Sequence, residues 1–184
     1  PDGTLALADI EANIKPDDPH FARTKLLALE NTLGGQLIPM AYIEEATALA
    51  KRKGIGRHLD GARLFNAAVA QSAQNKSDAR AEAKRIAQCF DSVSVCFSKG
   101  LGAPVGSAVS GDKTTIARVF RFRKMFGGAM RQSGILAAAA LYALDHNRER
   151  VVEDHVNAAR LAEGLGNLPG VAEAEAMVAR LGDS

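Results

Sequence analysis

Three apolar runs in this 184-residue chain end on polar side chains able to do chemistry: Glu30 and Asn31 after "TKLLAL", Asp60 after "GRHL", and Ser98 with Lys99 after "SVSVCF". An amine at the mouth of an apolar strand loses hydration, which favours its neutral, nucleophilic form and lets it condense with a carbonyl group as a Schiff base. Taken alone, Lys99 reads first as a lysine that snorkels from a strand end into solvent. Asp60 precedes Gly61, which allows a tight turn, and alone it reads as the N-cap of the helical run "GARLF".

Together the two residues describe a narrower chemistry. Pyridoxal phosphate requires a lysine to hold its aldehyde and a carboxylate to keep its ring nitrogen protonated, so that the ring withdraws electrons. Separate strands can present Lys99 and Asp60 to one crevice. Arg63 lies one helical turn beyond Asp60 and can grip a substrate carboxylate through two parallel hydrogen bonds; its plainer role is a surface salt bridge. Arg131, in "GGAMRQSG", precedes Ser133, a candidate cap for the apolar helix after it, and a basic residue at a glycine-rich helix start suits a phosphate. His20, without further context, is a satisfied histidine at a strand entrance.

The elements that must position these side chains follow from periodicity. Strands are expected over residues 24–30, 56–60, 91–98 and 104–111, the last two joined by a glycine and proline loop. Helices are expected over residues 41–52, 62–71, 78–88, 112–125, 134–145 and 148–164. Strands alternating with helices imply an α/β fold, a mostly parallel sheet with helices on both faces. In such open sheets ligands bind beyond the carboxyl ends of the strands, where Glu30, Asp60 and Lys99 fall.

Composition excludes other classes. The 23 basic and 21 acidic side chains give a formal charge of +2, so no global field points to nucleic acid or an anionic membrane. Phe120, Phe122 and Phe126 interleave with Arg118, Arg121, Arg123 and Lys124, and this helix is expected to turn its aromatics inward and solvate its charges rather than form a nucleic-acid face. The longest apolar stretch, Ile135 to Leu144, is half the roughly 20 residues that span a bilayer and reads as a fully buried helix. Cys89 and Cys96 lack zinc-site spacing and His20, His58, His146 and His155 are scattered, so no metal is expected; reduced, buried thiols and a cytoplasmic location are. The opening "PDGTLALAD" and the closing "VARLGDS" suggest a fragment.

Four long motifs, "KPDDPHFARTKLLALENT", "HLDGARLFNA", "FSKGLGAPVGS" and "FRKMFGGAMRQSGILAAAALYAL", make the chain resemble the low-specificity threonine aldolases, fold type I pyridoxal-phosphate enzymes of the aspartate aminotransferase superfamily. The likeness runs from about residue 2 to 165. It implies that residues 1–145 are part of the cofactor-binding large domain and that 146–184 form a connecting helix and the start of the small C-terminal domain. It implies Lys99 as the Schiff-base lysine, Asp60 as partner of the ring nitrogen, Arg63 as ligand of the substrate carboxylate, His20 as the histidine near the substrate hydroxyl, and Arg131 near a cofactor, that of a neighbouring subunit included. The implied reaction is aldol cleavage of L-threonine or L-allo-threonine, small β-hydroxy amino acids, to glycine and acetaldehyde, in a homo-oligomer, dimer or tetramer. A β-eliminating lyase or an aminotransferase would use the same lysine and aspartate, and a truncated, non-catalytic remnant is the alternative from another class. The family's phosphate-gripping glycine loop and ring-stacking histidine would precede Pro1, and Leu33, Gly34 and Gly35 stand where several relatives carry histidine or asparagine.

Overall fold

A computed structural model of the chain describes residues 3–168 together with Gly170 and Val171. Four five-residue strands, β1 (Leu26–Glu30), β2 (Gly56–Asp60), β3 (Ser92–Cys96) and β4 (Ser107–Gly111), lie side by side in chain order. The first three run parallel and β4 runs antiparallel to β3. The expected mostly parallel α/β sheet is therefore present. Residues 97–106 carry no helix, and a link that short reverses the chain, whereas a parallel return needs a crossover of about a dozen residues or more.

Helix α1 (Leu7–Ala12) precedes the sheet, α2 (Met40–Arg52) joins β1 to β2, and α3 (Leu64–Asn75) with α4 (Ala79–Ala87) joins β2 to β3. Beyond the sheet follow α5 (Lys113–Met125), α6 (Gly134–Tyr142) with a π-helical continuation at Ala143–Asn147, and α7 (Val151–Gly166). In α2 the buried Ile43, Ala46, Thr47, Leu49 and Ala50 fall at helical spacing, Lys51 and Arg52 offset the negative end of the helix dipole, and Gly54 leaves with φ +68°. α1 escapes the periodicity argument because a single buried residue, Ile10, shows no period.

Alternation along the strands decides where the core sits. Leu27, Leu29, Leu59 and Val93 turn to one face and share a buried cluster with Ile43 of α2, Leu64 and Ala67 of α3 and Ile86 of α4. Burying a leucine or isoleucine side chain stabilises a fold by about 1.5–3 kcal/mol, so this one layer supplies much of the driving force. Helices α1 to α4 cover this face. The other carries the exposed Leu26 at one end of β1 and is polar toward the carboxyl ends: Glu30, Asp60 and Ser94 stand abreast in register, and His58 Nδ1 meets Ser92 Oγ at 2.8 Å.

A second buried cluster, Leu101, Ala103, Ala143 and Val151 with Phe65, Val69 and Phe97 against it, ties the loop after β3 to α3 and α7. The expected domain boundary near residue 145 falls inside the π-helical segment, and residues 172–184, expected to begin a small domain, lie outside the described residues.

Two expectations about burial are corrected. Ile135 to Leu144 does not form a fully buried helix: α6 contains no buried residue, Ile135 is 87% exposed, and only Ala143 beyond it is covered. α5 does not turn its aromatics inward either; Phe120 and Phe122 are exposed, Phe122 stacks on Phe126 at 6.0 Å, and Arg123 lies 5.0 Å over the Phe120 ring. Hydrophobic composition says that a helix seeks cover and is silent on where the cover lies. Cys89 and Cys96 are free and half-buried rather than buried, and Ser133 makes no side-chain cap for α6.

Candidate active site

A cleft of ≈ 860 Å³ opens beyond the carboxyl end of β1 and beside the loop after β3. β1 brings Glu30 to it, and the turn that follows adds Thr32, Gly34 and Gly35. Leu33 and Gln36 exchange backbone hydrogen bonds of 3.0 and 2.9 Å, which close that turn around two glycines at φ +56° and +87°. α3 presents Arg63, Asn66 and Ala70, a stripe at helical spacing, and α7 presents Asp154, His155 and Ala158.

Lys99 and Gly100 complete the wall. The loop that carries them is narrowly held: Gly102 N donates to Lys99 O at 2.8 Å, Ala103 N to Phe97 O at 2.9 Å, and Asn147 Nδ2 to Leu101 O at 2.8 Å. Leu101, 2% exposed, anchors the loop in the second cluster. The Lys99 side chain itself is exposed and has no ion pair among the described residues, so the desolvation expected of it is not supplied by them. Arg63 is likewise exposed and unpaired among the described residues, which sets aside the surface salt bridge as its role.

Asp60 ends β2 on the face that carries Glu30 and Ser94, but it is absent from the cleft lining. Its carbonyl accepts from Asn31 N at 3.1 Å and its Oδ1 from Ala62 N at 3.1 Å, a turn that starts the link to α3; the N-cap of α3 is Arg63, not Asp60. His20 stands apart from the cleft, its side chain 87% exposed and its Nδ1 2.8 Å from Asp18 Oδ1. Hydrogen bonds from the His20 backbone and ring hold the Asp18 carboxyl below the usual carboxylate range. Arg131 is exposed on the loop between α5 and α6 and does not line the cleft.

Two of the four buried side-chain atoms without a hydrogen-bond partner among the described residues belong to residues that line this cleft: Thr32 Oγ1 just after β1 and His155 Nε2 on α7. Unpaired buried polar atoms are uncommon and concentrate where a polar ligand or a mechanism requires them. Two donors face the same space, the Lys99 amine, which fits a cofactor aldehyde, and the Arg63 guanidinium, which fits an anionic group. Asn66, Asp154 and His155 were missed in the sequence. Asn66 is three residues beyond Arg63 on one helix face and could have been read from that spacing; nothing local links residues 154 and 155 to it.

The fold and cleft together define an α/β protein with a strand-end lysine site. The chain belongs to the beta-eliminating lyase family, whose family model matches residues 1–182. It is 52% identical over 164 residues to the low specificity L-threonine aldolase of Escherichia coli, covering 89% of this chain and 47% of that protein. Against a probable low-specificity L-threonine aldolase of Arabidopsis thaliana the identity is 46%, with 91% and 46% covered. The solved threonine aldolase of Leishmania major superposes with a TM-score of 0.74 at 26% identity, covering 90% of this chain and 48% of that one. The resemblance read from the four motifs is thus borne out. The chain spans about half the length of the curated relatives it matches.

Proposed function

We propose that the full protein carrying this chain cleaves L-threonine and L-allo-threonine to glycine and acetaldehyde with pyridoxal phosphate. The observation that supports it is the meeting of Lys99 and Arg63 in one strand-end cleft, beside the β2 terminus that bears Asp60. In this reading residues 1–145 belong to the cofactor domain and 146–184 lead into a small domain, in a cytoplasmic homo-oligomer.

When bound, pyridoxal phosphate supplies an aldehyde that takes up an amine and a ring that accepts the electron pair of the broken bond. Lys99 holds that aldehyde at rest. Asp60, fixed at its strand end by backbone hydrogen bonds, keeps the ring nitrogen protonated. Arg63 fastens the substrate carboxylate, and because the carboxylate is held in one plane, the guanidinium selects which bond at Cα is presented for cleavage. His20 does not line the described cleft; the resemblance gives it the task of taking the proton of the substrate hydroxyl, and with Nδ1 committed to the Asp18 carboxylate its Nε2 is left for that. Arg131 binds a cofactor phosphate across a subunit boundary.

The test is a product analysis. The full protein, given either threonine epimer, is expected to form glycine and acetaldehyde in equal amounts without consuming a keto acid. The family's description favours one other reading, β-elimination with the same Lys99 and Asp60. Release of ammonia and a keto acid from a β-substituted amino acid, with no glycine from threonine, would establish that reading and overturn ours.

A further inference from the structure

Among the described residues, helices α3 and α7 share one side-chain hydrogen bond, beside the lysine loop. Asn66 of α3 donates from Nδ2 to Asp154 Oδ2 at 3.1 Å, across 88 positions of sequence. Both side chains close on Gly100, the residue after Lys99. A Cβ built at Gly100 would lie 2.7 Å from Asp154 Oδ2 and 2.9 Å from Asn66 Oδ1, nearer than real contacts come. The φ at Gly100 lies outside the left-handed range, so the missing side chain here serves close approach rather than backbone conformation.

The pair is not needed to hold the two helices together. α3 and α7 already share the apolar cluster in which Phe65 and Val69 face Val151, and a single hydrogen bond at an exposed site adds only about 1 kcal/mol. What it does uniquely is press on the backbone from which Lys99 departs, while Leu101 anchors the far side of the same turn. We propose that Asn66 and Asp154 form a positioning clamp for Lys99: seated against Gly100, they fix the turn that aims the amine into the cleft. This rests on the role given to Lys99 above, and it makes α7, which begins beyond the sheet, part of the lysine's alignment.

The full protein as its gene encodes it is compared with Asp154→Ala, Gly100→Ala and Asp154→Asn. Without cofactor, two properties are read: amide hydrogen exchange of residues 99–102, and the rate at which an amine-specific acylating reagent labels Lys99, located by peptide mapping. With cofactor, kcat and KM are measured separately. Asp154→Ala removes the clamp, and Gly100→Ala pushes its flexible ends aside. Both are expected to raise loop exchange about tenfold, to change Lys99 labelling, and to lower kcat about ten- to hundredfold with KM within about twofold, as a misaligned reacting group does. Asp154→Asn keeps an acceptor for Asn66 and is expected to restore exchange, labelling and kcat. Wild-type exchange and labelling in Asp154→Ala would overturn the clamp, as would an Asp154→Asn protein as impaired as Asp154→Ala. If Asp154→Ala fails to fold, the same readouts on Gly100→Ala decide. Borohydride trapping of the cofactor on another lysine would sink the functional reading instead, and the cofactor-free measurements would still decide whether the clamp exists.

Discussion

Glu30 and Asp60 are register partners at the carboxyl ends of β1 and β2, yet Glu30 lines the cleft and Asp60 does not. The offset comes from the chain after each strand. Beyond β1 the backbone turns at Thr32 into the glycine hairpin that borders the cleft. Beyond β2 one more ladder bond ties it to β3, Gly61 N donating to Ser94 O at 2.8 Å, and the chain then turns at Ala62 into α3. A Cβ at Gly61 would come within 2.8 Å of that same carbonyl, so only glycine allows the approach. Asp60 is thereby held firmly, a favourable condition for a carboxylate whose task is electrostatic.

Replacing Asp60 by asparagine should therefore act on rate more than on binding. We expect kcat to fall on the order of 10²-fold or more with KM within about threefold, because the charge matters most as electron density builds in the ring. Steady-state kinetics on the full protein check this, and an unaltered kcat would remove Asp60 from its role.

Lys99→Ala should abolish the borohydride-trapped cofactor adduct and turnover together. Peptide mapping of the reduced wild-type protein is expected to find the label on the segment containing Lys99; label elsewhere would disprove the assignment.

Arg63→Lys tests geometry at constant charge. A lysine cannot supply two parallel hydrogen bonds to a carboxylate, so KM for the amino acid is expected to rise about tenfold. An unchanged KM would leave Arg63 as a bystander on the cleft wall.

Stability depends on a site remote from the cleft. Glu82, 5% exposed, accepts from Asn75 Nδ2 at 3.0 Å and from Ser77 Oγ at 2.6 Å, and these bonds, that from Asn75 foremost, hold its carboxyl below the usual range. The folded state therefore binds the proton less readily than the unfolded chain. The stabilisation is complete above the ordinary value of 4.5 and is lost as pH falls through the lower folded value. Glu82→Gln should cost about 1–3 kcal/mol at pH 7 and progressively less toward acid. Thermal melts at several pH values would show the difference in Tm narrowing; a constant difference would refute the linkage.

The strands at residues 26–30, 56–60 and 92–96 and the polar residues that close them were legible in the chain because alternation, apolar runs and turn residues are local properties. So were Lys99 and Arg63 as cleft residues, since a strand end and the first turn of the next helix lie close in any parallel sheet. The direction of β4, the exposure of α5 and α6, and the arrival of Asp154 and His155 beside Lys99 were settled only by the folded chain. Residues 66 and 154 meet because a buried apolar cluster docks α7 on α3. Docking of that kind depends on which surfaces find each other, whereas sequence pattern records only that each surface needs a partner.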